Sequence, residues 1–212
     1  MESAWEFFQD LLNPKSIVRL GLPLLLFVIF AETGLFIGFF LPGDSLVFIS
    51  GVFCATNGED LGVGIIPLIL LMSTAAILGN IVGYWFGKKV GPKLFTRDDS
   101  FFFKKRHLIT TKAFYEKHGK KALILGRFLP YIRTFAPILA GVIQVDFKKF
   151  MLYNVIGAFA WISSICSIGY FLGQRYPAIE NYLGWIIIGL IVITTIPVIV
   201  TYIKEKRKSA NK

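Results

Sequence analysis

The chain has 212 residues, of which 55% are hydrophobic and only 17% charged, with a formal net charge of +10; its mean hydropathy is +0.64 and its isoelectric point near 9.6. Soluble domains carry about 25% charged residues, and a chain this short has too few layers to hide many long apolar runs, so an ordinary soluble domain is excluded. Nucleic-acid binding is excluded by the same economy, since almost no soluble surface remains to hold a duplex.

In chain order the apolar runs are 17–41, 46–55, 63–86, 122–143, 150–172 and 182–203. Several reach the roughly 20 residues that cross a hydrocarbon core. Trp5, Phe7, Phe8 and Leu11 fit a segment lying along a membrane interface or capping the first helix. Lys15 and Arg19 precede the first run, but that run is long, carries Glu32 and ends in no small-x-small cleavage site. It reads as a retained membrane segment rather than a signal peptide. Pro42, Gly43 and Asp44 break the stretch, and Pro-Gly permits a sharp turn there. The run 63–86 is followed by a strongly basic stretch, 88–121, and the chain ends on a basic tail, 204–212.

Lysine and arginine mark cytoplasmic loops, so the linker 88–121, the tail and both termini are expected on the cytoplasmic side. Residues 57–60 hold Glu59 and Asp60 without a basic residue and are expected outside. Three runs follow the basic linker, yet the basic tail must end on the same side as that linker, so one run enters and returns. The run 122–143 is the candidate: it holds Pro130 and Pro137, which break or bend helices, and Arg127 and Arg133, whose charge is expensive at membrane depth. A re-entrant element is tolerated only where protein or an aqueous cavity covers it.

A weak repeat points the same way. Phe40-Leu41-Pro42 resembles Phe128-Leu129-Pro130, followed by Gly51 and Gly141 respectively, and Gly83-Tyr84-Trp85-Phe86-Gly87 resembles Gly169-Tyr170-Phe171-Leu172-Gly173. Transporters often use inverted repeats with broken helices around a central site. The expected fold is an all-α polytopic membrane protein in one membrane domain, 1–212. It is an inverted-topology repeat with two opposed re-entrant hairpins and about four spanning helices, divided into halves 17–87 and 122–203.

Four charged residues stand in segments otherwise suited to burial: Glu32, Asp44, Arg127 and Arg133. Charge there faces a cavity, a partner or an ion path. Apolar surroundings oppose ionisation of Glu32 and a nearby arginine favours it. That opposition suits a proton-coupling carboxylate, although a structural carboxylate held by an arginine, Thr33 or a backbone amide is the plainer reading. Asp44 after Pro42-Gly43 also fits a helix N-cap. The rigid forks of Arg127 and Arg133 suit phosphate oxygens, and the plainer alternative is that they compensate Glu32 and Asp44. Asn80, Gly83, Asn154 and Trp161 read as packing or cavity-lining residues, since small residues and asparagines join membrane helices. Cys54 and Cys166 read as buried hydrophobes. His107 and His118 form no zinc motif, and there is no phosphate-binding loop, dinucleotide fingerprint or triad. No metal, cofactor or covalent chemistry is expected.

At these motifs the chain resembles the DedA family, within the wider group of SNARE-associated Golgi-type (VTT-domain) membrane proteins. The resemblance covers roughly 23–173 and is carried by Glu32, by Phe40-Leu41-Pro42-Gly43-Asp44-Ser45 and by Gly79-Asn80 with Gly83, Tyr84 and Gly87. It continues through Gly126-Arg127-Phe128 with Pro130 and Arg133, then Pro137 with Ala140-Gly141, and Asn154 with Gly157 and Trp161. It implies two opposed re-entrant hairpins, with the acidic pair on Glu32 and Asp44 and the arginine pair on Arg127 and Arg133. It further implies residence in a bacterial inner membrane and dependence on the proton-motive force. The implied activity is translocation of undecaprenyl phosphate, with proton-coupled antiport of a small cation or drug and phospholipid scrambling as alternatives. The expected partners are that lipid phosphate, protons and membrane lipids, with a homo-oligomer allowed.

Overall fold

The computed structural model describes residues 21–34, 43–56, 62–96, 130–186 and 189. Pro42, Arg127, most of the basic linker, the tail and the interfacial segments fall outside them. The described residues are all helical with no strand. We number the helices α1 (Leu22–Gly34), α2 (Gly43–Thr56), α3 (Ile65–Thr96), α4 (Pro130–Val142) and α5 (Phe147–Arg175), followed by a 3-10 turn at Pro177–Tyr182.

Two of these helices are long and apolar enough to cross a membrane, by length and composition: Ile65–Val90 within α3, and α5. At 1.5 Å per residue each is about 40 Å long, more than the hydrocarbon core needs. Their outward faces carry exposed Ile66, Leu70, Leu78, Val82, Leu152, Ile156, Ile168 and Phe171, a pattern that water would penalise and lipid would not. By contrast α1 and α2, with 13 and 14 residues, are about 20 Å long, shorter than the hydrocarbon core of about 30 Å.

The long helices run antiparallel. Asn154 of α5 bonds the Ile77 carbonyl of α3, whereas Phe150, one turn earlier, stacks on Tyr84, two turns later, with ring centroids 4.7 Å apart. The short helices α2 and α4 then each lie along the long helix of the other half, in the same sense. Gly169 and Gly173 of α5 meet Phe48 and Val52 of α2, and Gly51 meets Cys166 and Tyr170; Gly83 and Gly87 of α3 meet Pro137 and Ile138 of α4, and Gly141 meets Tyr84 and Lys88. A Cβ on Gly51, Gly87, Gly141 or Gly169 would run into a carbonyl of the facing helix. Glycines paired in the sequence repeat therefore let backbones of the two halves touch, at Gly51, Gly87, Gly141 and Gly169. Because α3 and α5 are antiparallel, α2 and α4 run in opposite directions. Their first turns meet: Asp44 in α2 and Arg133 in α4 are hydrogen-bonded.

Local chemistry explains the ends. Pro130 opens α4, where its missing N–H is one of the orphan donors in any case. Of the two expected effects of Pro137, breaking does not occur: it lies inside α4 and cannot donate to the Arg133 carbonyl. After Val142 the chain turns through a Schellman motif: Val145 N–H donates to the Ala140 carbonyl at 2.9 Å and Gln144 N–H to that of Gly141 at 3.1 Å, with Gln144 at φ +54°. The Asp146 carboxylate then caps α5 by accepting the Lys149 amide at 3.0 Å. At the other end of the central pair, α3 does not stop where the basic stretch begins. It continues through Lys88 and Lys89 to Thr96, since lysine is a good helix former.

The main core is built where α1, α2, α3 and α5 meet, around Leu25, Ile29, Leu46, Ile49, Leu68, Met72 and Ile162. Gly34 and Gly79 bring α1 and α3 into backbone contact.

Candidate functional site

Glu32 stands in the last turn of α1. That is the negative end of the helix dipole, an unfavourable place for a carboxylate, and it is 2% exposed. Something cationic must hold it, and Arg133 does. One terminal nitrogen, Nη2, donates to Glu32 Oε1; the other, Nη1, donates to Asp44 Oδ1 at 2.5 Å. Arg133 is itself 4% exposed, whereas the Asp44 side chain keeps 19%. Among the described charges the group is two carboxylates and one guanidinium.

Asp44 lies in the first turn of α2. The same Asp44 oxygen accepts a second hydrogen bond, from the Trp161 indole at 2.8 Å, and the Arg133 guanidinium lies over the Trp161 ring, 4.1 Å from its centroid. Trp161 thus holds both members of an ion pair, one by its edge and one by its face. It stands at the middle of the 29-residue α5, so the cluster lies at mid-height of that helix. Gly43 completes the group, because a Cβ there would occupy the space of the Glu32 carboxylate.

Two polar atoms at the centre have no hydrogen-bond partner among the described residues, Glu32 Oε2 and Arg133 Nε. Asn80 and Asn154 form a separate polar contact between the long helices, Asn80 Nδ2 donating to Asn154 Oδ1 at 2.8 Å. Thr33 does not hold Glu32, since its hydroxyl bonds the Ile29 carbonyl of its own helix at 2.9 Å.

The expected residues thus divide. Glu32, Gly43, Asp44 and Arg133 come together. Asn80, Gly83 and Asn154 stand at contacts between helices. Pro42 and Arg127 lie outside the described residues. Trp161 carries more than the packing role assigned to it; the signal was that a buried indole N–H needs an acceptor. Among the described residues no cluster of histidine, cysteine and carboxylates could hold a metal.

The VTT domain model matches residues 41–171, which takes in Asp44, Arg133, Trp161 and the packed glycines Gly51, Gly83, Gly87, Gly141 and Gly169. The chain belongs to the DedA family of VTT-domain membrane proteins. It is 41% identical over 187 residues to Protein DedA of Escherichia coli K12, an alignment covering 88% of this chain and 84% of that one. It is 36% identical over 191 residues to the uncharacterized membrane protein Rv0364 of Mycobacterium tuberculosis H37Rv, covering 90% and 82%. It is 31% identical over 183 residues to the inner membrane protein YqjA of Escherichia coli K12, covering 86% and 80%. No solved structure matches the chain.

Proposed function

We propose that this DedA-family protein is a transporter, without covalent chemistry, that carries a lipid phosphate across the bacterial inner membrane. The substrate we infer is undecaprenyl phosphate, moved in response to the proton-motive force. One observation supports an anionic cargo above the rest: the first turns of α2 and α4 meet at Arg133. Two helix N-termini and a guanidinium make a positive locus. With no headgroup present, Glu32 and Asp44 occupy that locus. A phosphate competes with them for Arg133, and protonating a carboxylate removes the competitor, which is the simplest link between a proton and the cargo. The arginine expected beside Arg133 in the sequence, Arg127, would share the headgroup charge. In this reading α2 and α4 are the inner arms of two re-entrant hairpins entering from opposite faces, and both termini lie in the cytoplasm.

A cation antiporter would need the carboxylates free, and here Arg133 already neutralises them in part. The deciding experiment is transport in proteoliposomes. Undecaprenyl phosphate is placed in one leaflet, with and without an imposed pH gradient, beside an ordinary phospholipid. Gradient-sensitive movement of undecaprenyl phosphate alone, lost in Arg133→Ala and Arg127→Ala at matched insertion, is expected. Movement of both lipids without a gradient would make the protein a scramblase; movement of neither, with cation flux instead, would overturn the anionic cargo.

A further inference from the structure

A second charged surface lies far from Arg133, where α3 leaves the apolar zone and α5 enters it. On α3 exposed Trp85 and Phe86 are followed by exposed Lys88 and Lys89; on α5, Lys148 and Lys149 precede exposed Leu152 and Ile156. The two helices are antiparallel, so these boundaries coincide at one end of the pair. All four lysines are exposed.

The floor beneath them is fixed. Phe147 packs between Tyr84 and Trp85, with ring centroids 5.4 and 5.8 Å away. The Tyr84 hydroxyl donates to the Val145 carbonyl at 2.6 Å, which ties α3 to the turn before α5. Lys88 Nζ lies over the Trp85 ring, 5.0 Å from its centroid. Among the described residues the carboxylate at this end is Asp146, which accepts the Lys149 backbone amide. So four exposed lysines from two helices stand at the same end of the pair, and one of them, Lys88, lies over the aromatic floor. Lysines so placed are attracted to anionic lipid surfaces, and aromatic side chains favour the same depth.

The geometry points to a binding site for acidic phospholipid headgroups formed by Lys88, Lys89, Lys148 and Lys149 over Trp85 and Phe147. The phosphate of a leaflet lipid sits among the ammonium groups while its acyl chains lie along the exposed faces of α3 and α5. This site is structural and leaflet-specific, and it does not rest on what the Arg133 cluster carries.

The test is lipid selectivity of the full chain in phosphatidylcholine vesicles, read by electron spin resonance with spin-labelled phosphatidylglycerol or phosphatidylcholine. The parent is expected to prefer the phosphatidylglycerol probe by about threefold or more, a preference that falls as salt is raised. Replacing the four lysines by glutamine is expected to remove most of that preference. The charge-matched control Lys204→Gln, Lys206→Gln, Arg207→Gln and Lys208→Gln is expected to keep it. Equal loss in both variants would show a response to net charge and overturn the site, as would undiminished preference in the lysine variant. The salt series needs no substitution: a preference unmoved by salt would also overturn it.

Discussion

The Trp161 indole donates to the Asp44 carboxylate across 117 positions of sequence, and the same ring lies beneath the arginine that Asp44 binds. A single side chain thereby fixes the separation of the two short helices at their first turns. Trp161→Phe keeps the ring and removes the donor. A hydrogen bond to a charged group is worth roughly 1.5–3 kcal/mol, so a loss of about that size is expected in chemical unfolding in detergent. Trp161→Leu also removes the ring from under Arg133 and should cost more; equal stability of the two variants would refute the stacking contribution.

Glu32 and Asp44 together outnumber Arg133 in charge. Under the proposed function, an incoming phosphate meets two competitors for Arg133 when both are ionised and one when either is protonated. The rate of headgroup movement is therefore expected to rise as the loading side is acidified. Glu32→Gln, which cannot titrate, should flatten that dependence and leave appreciable transport at mildly alkaline pH. Rates measured for both proteins across the same pH series decide it, and an unchanged profile would remove Glu32 from proton coupling.

The crossings at Gly51 and Gly141 are expected to be equally intolerant of a methyl group. In each case the new Cβ meets a carbonyl on the opposite half, at Cys166 or at Tyr84. Overpacking of this kind costs roughly 1–3 kcal/mol. Gly51→Ala and Gly141→Ala should each lower the thermal midpoint in detergent, whereas Gly184→Ala, with open space around it, should not.

Gln144 sits in the left-handed region that glycine occupies without penalty. Gln144→Gly is expected to stabilise the fold by about 1 kcal/mol, because the relief of backbone strain exceeds the added freedom of the unfolded chain. A lowered midpoint in the same unfolding assay would contradict this.

Much of the fold could be read from the residues. The long helices follow from apolar length, and the glycine repeats proved to be the contact points between halves. The charged cluster was legible because charge inside apolar sequence is rare. What stayed open was which arginine takes which carboxylate, since compensation of Glu32 and Asp44 by Arg127 and Arg133 was the plainer alternative only. Nothing in the spacing says that Arg133 takes both carboxylates at once, since residues 89 and 101 positions apart meet only through the folded helices. Pro137 was read as breaking or bending its helix; here it lies inside α4 against Gly83, and α4 remains packed on α3 around it. The end of α3 was set too early because a change from apolar to basic marks a membrane boundary, and helices are free to continue past one.

The crossed packing of short helices on distant long ones has a consequence for biosynthesis. A ribosome delivers α2 about a hundred residues before α5, the helix that covers it. Until then Asp44 has no indole, Gly51 no facing backbone, and the first half must wait in the membrane or its insertion machinery with a polar seam uncovered. Neither half is a folding unit alone, so a chain halted before α5 is expected to be a substrate for membrane proteolysis rather than a stable fragment.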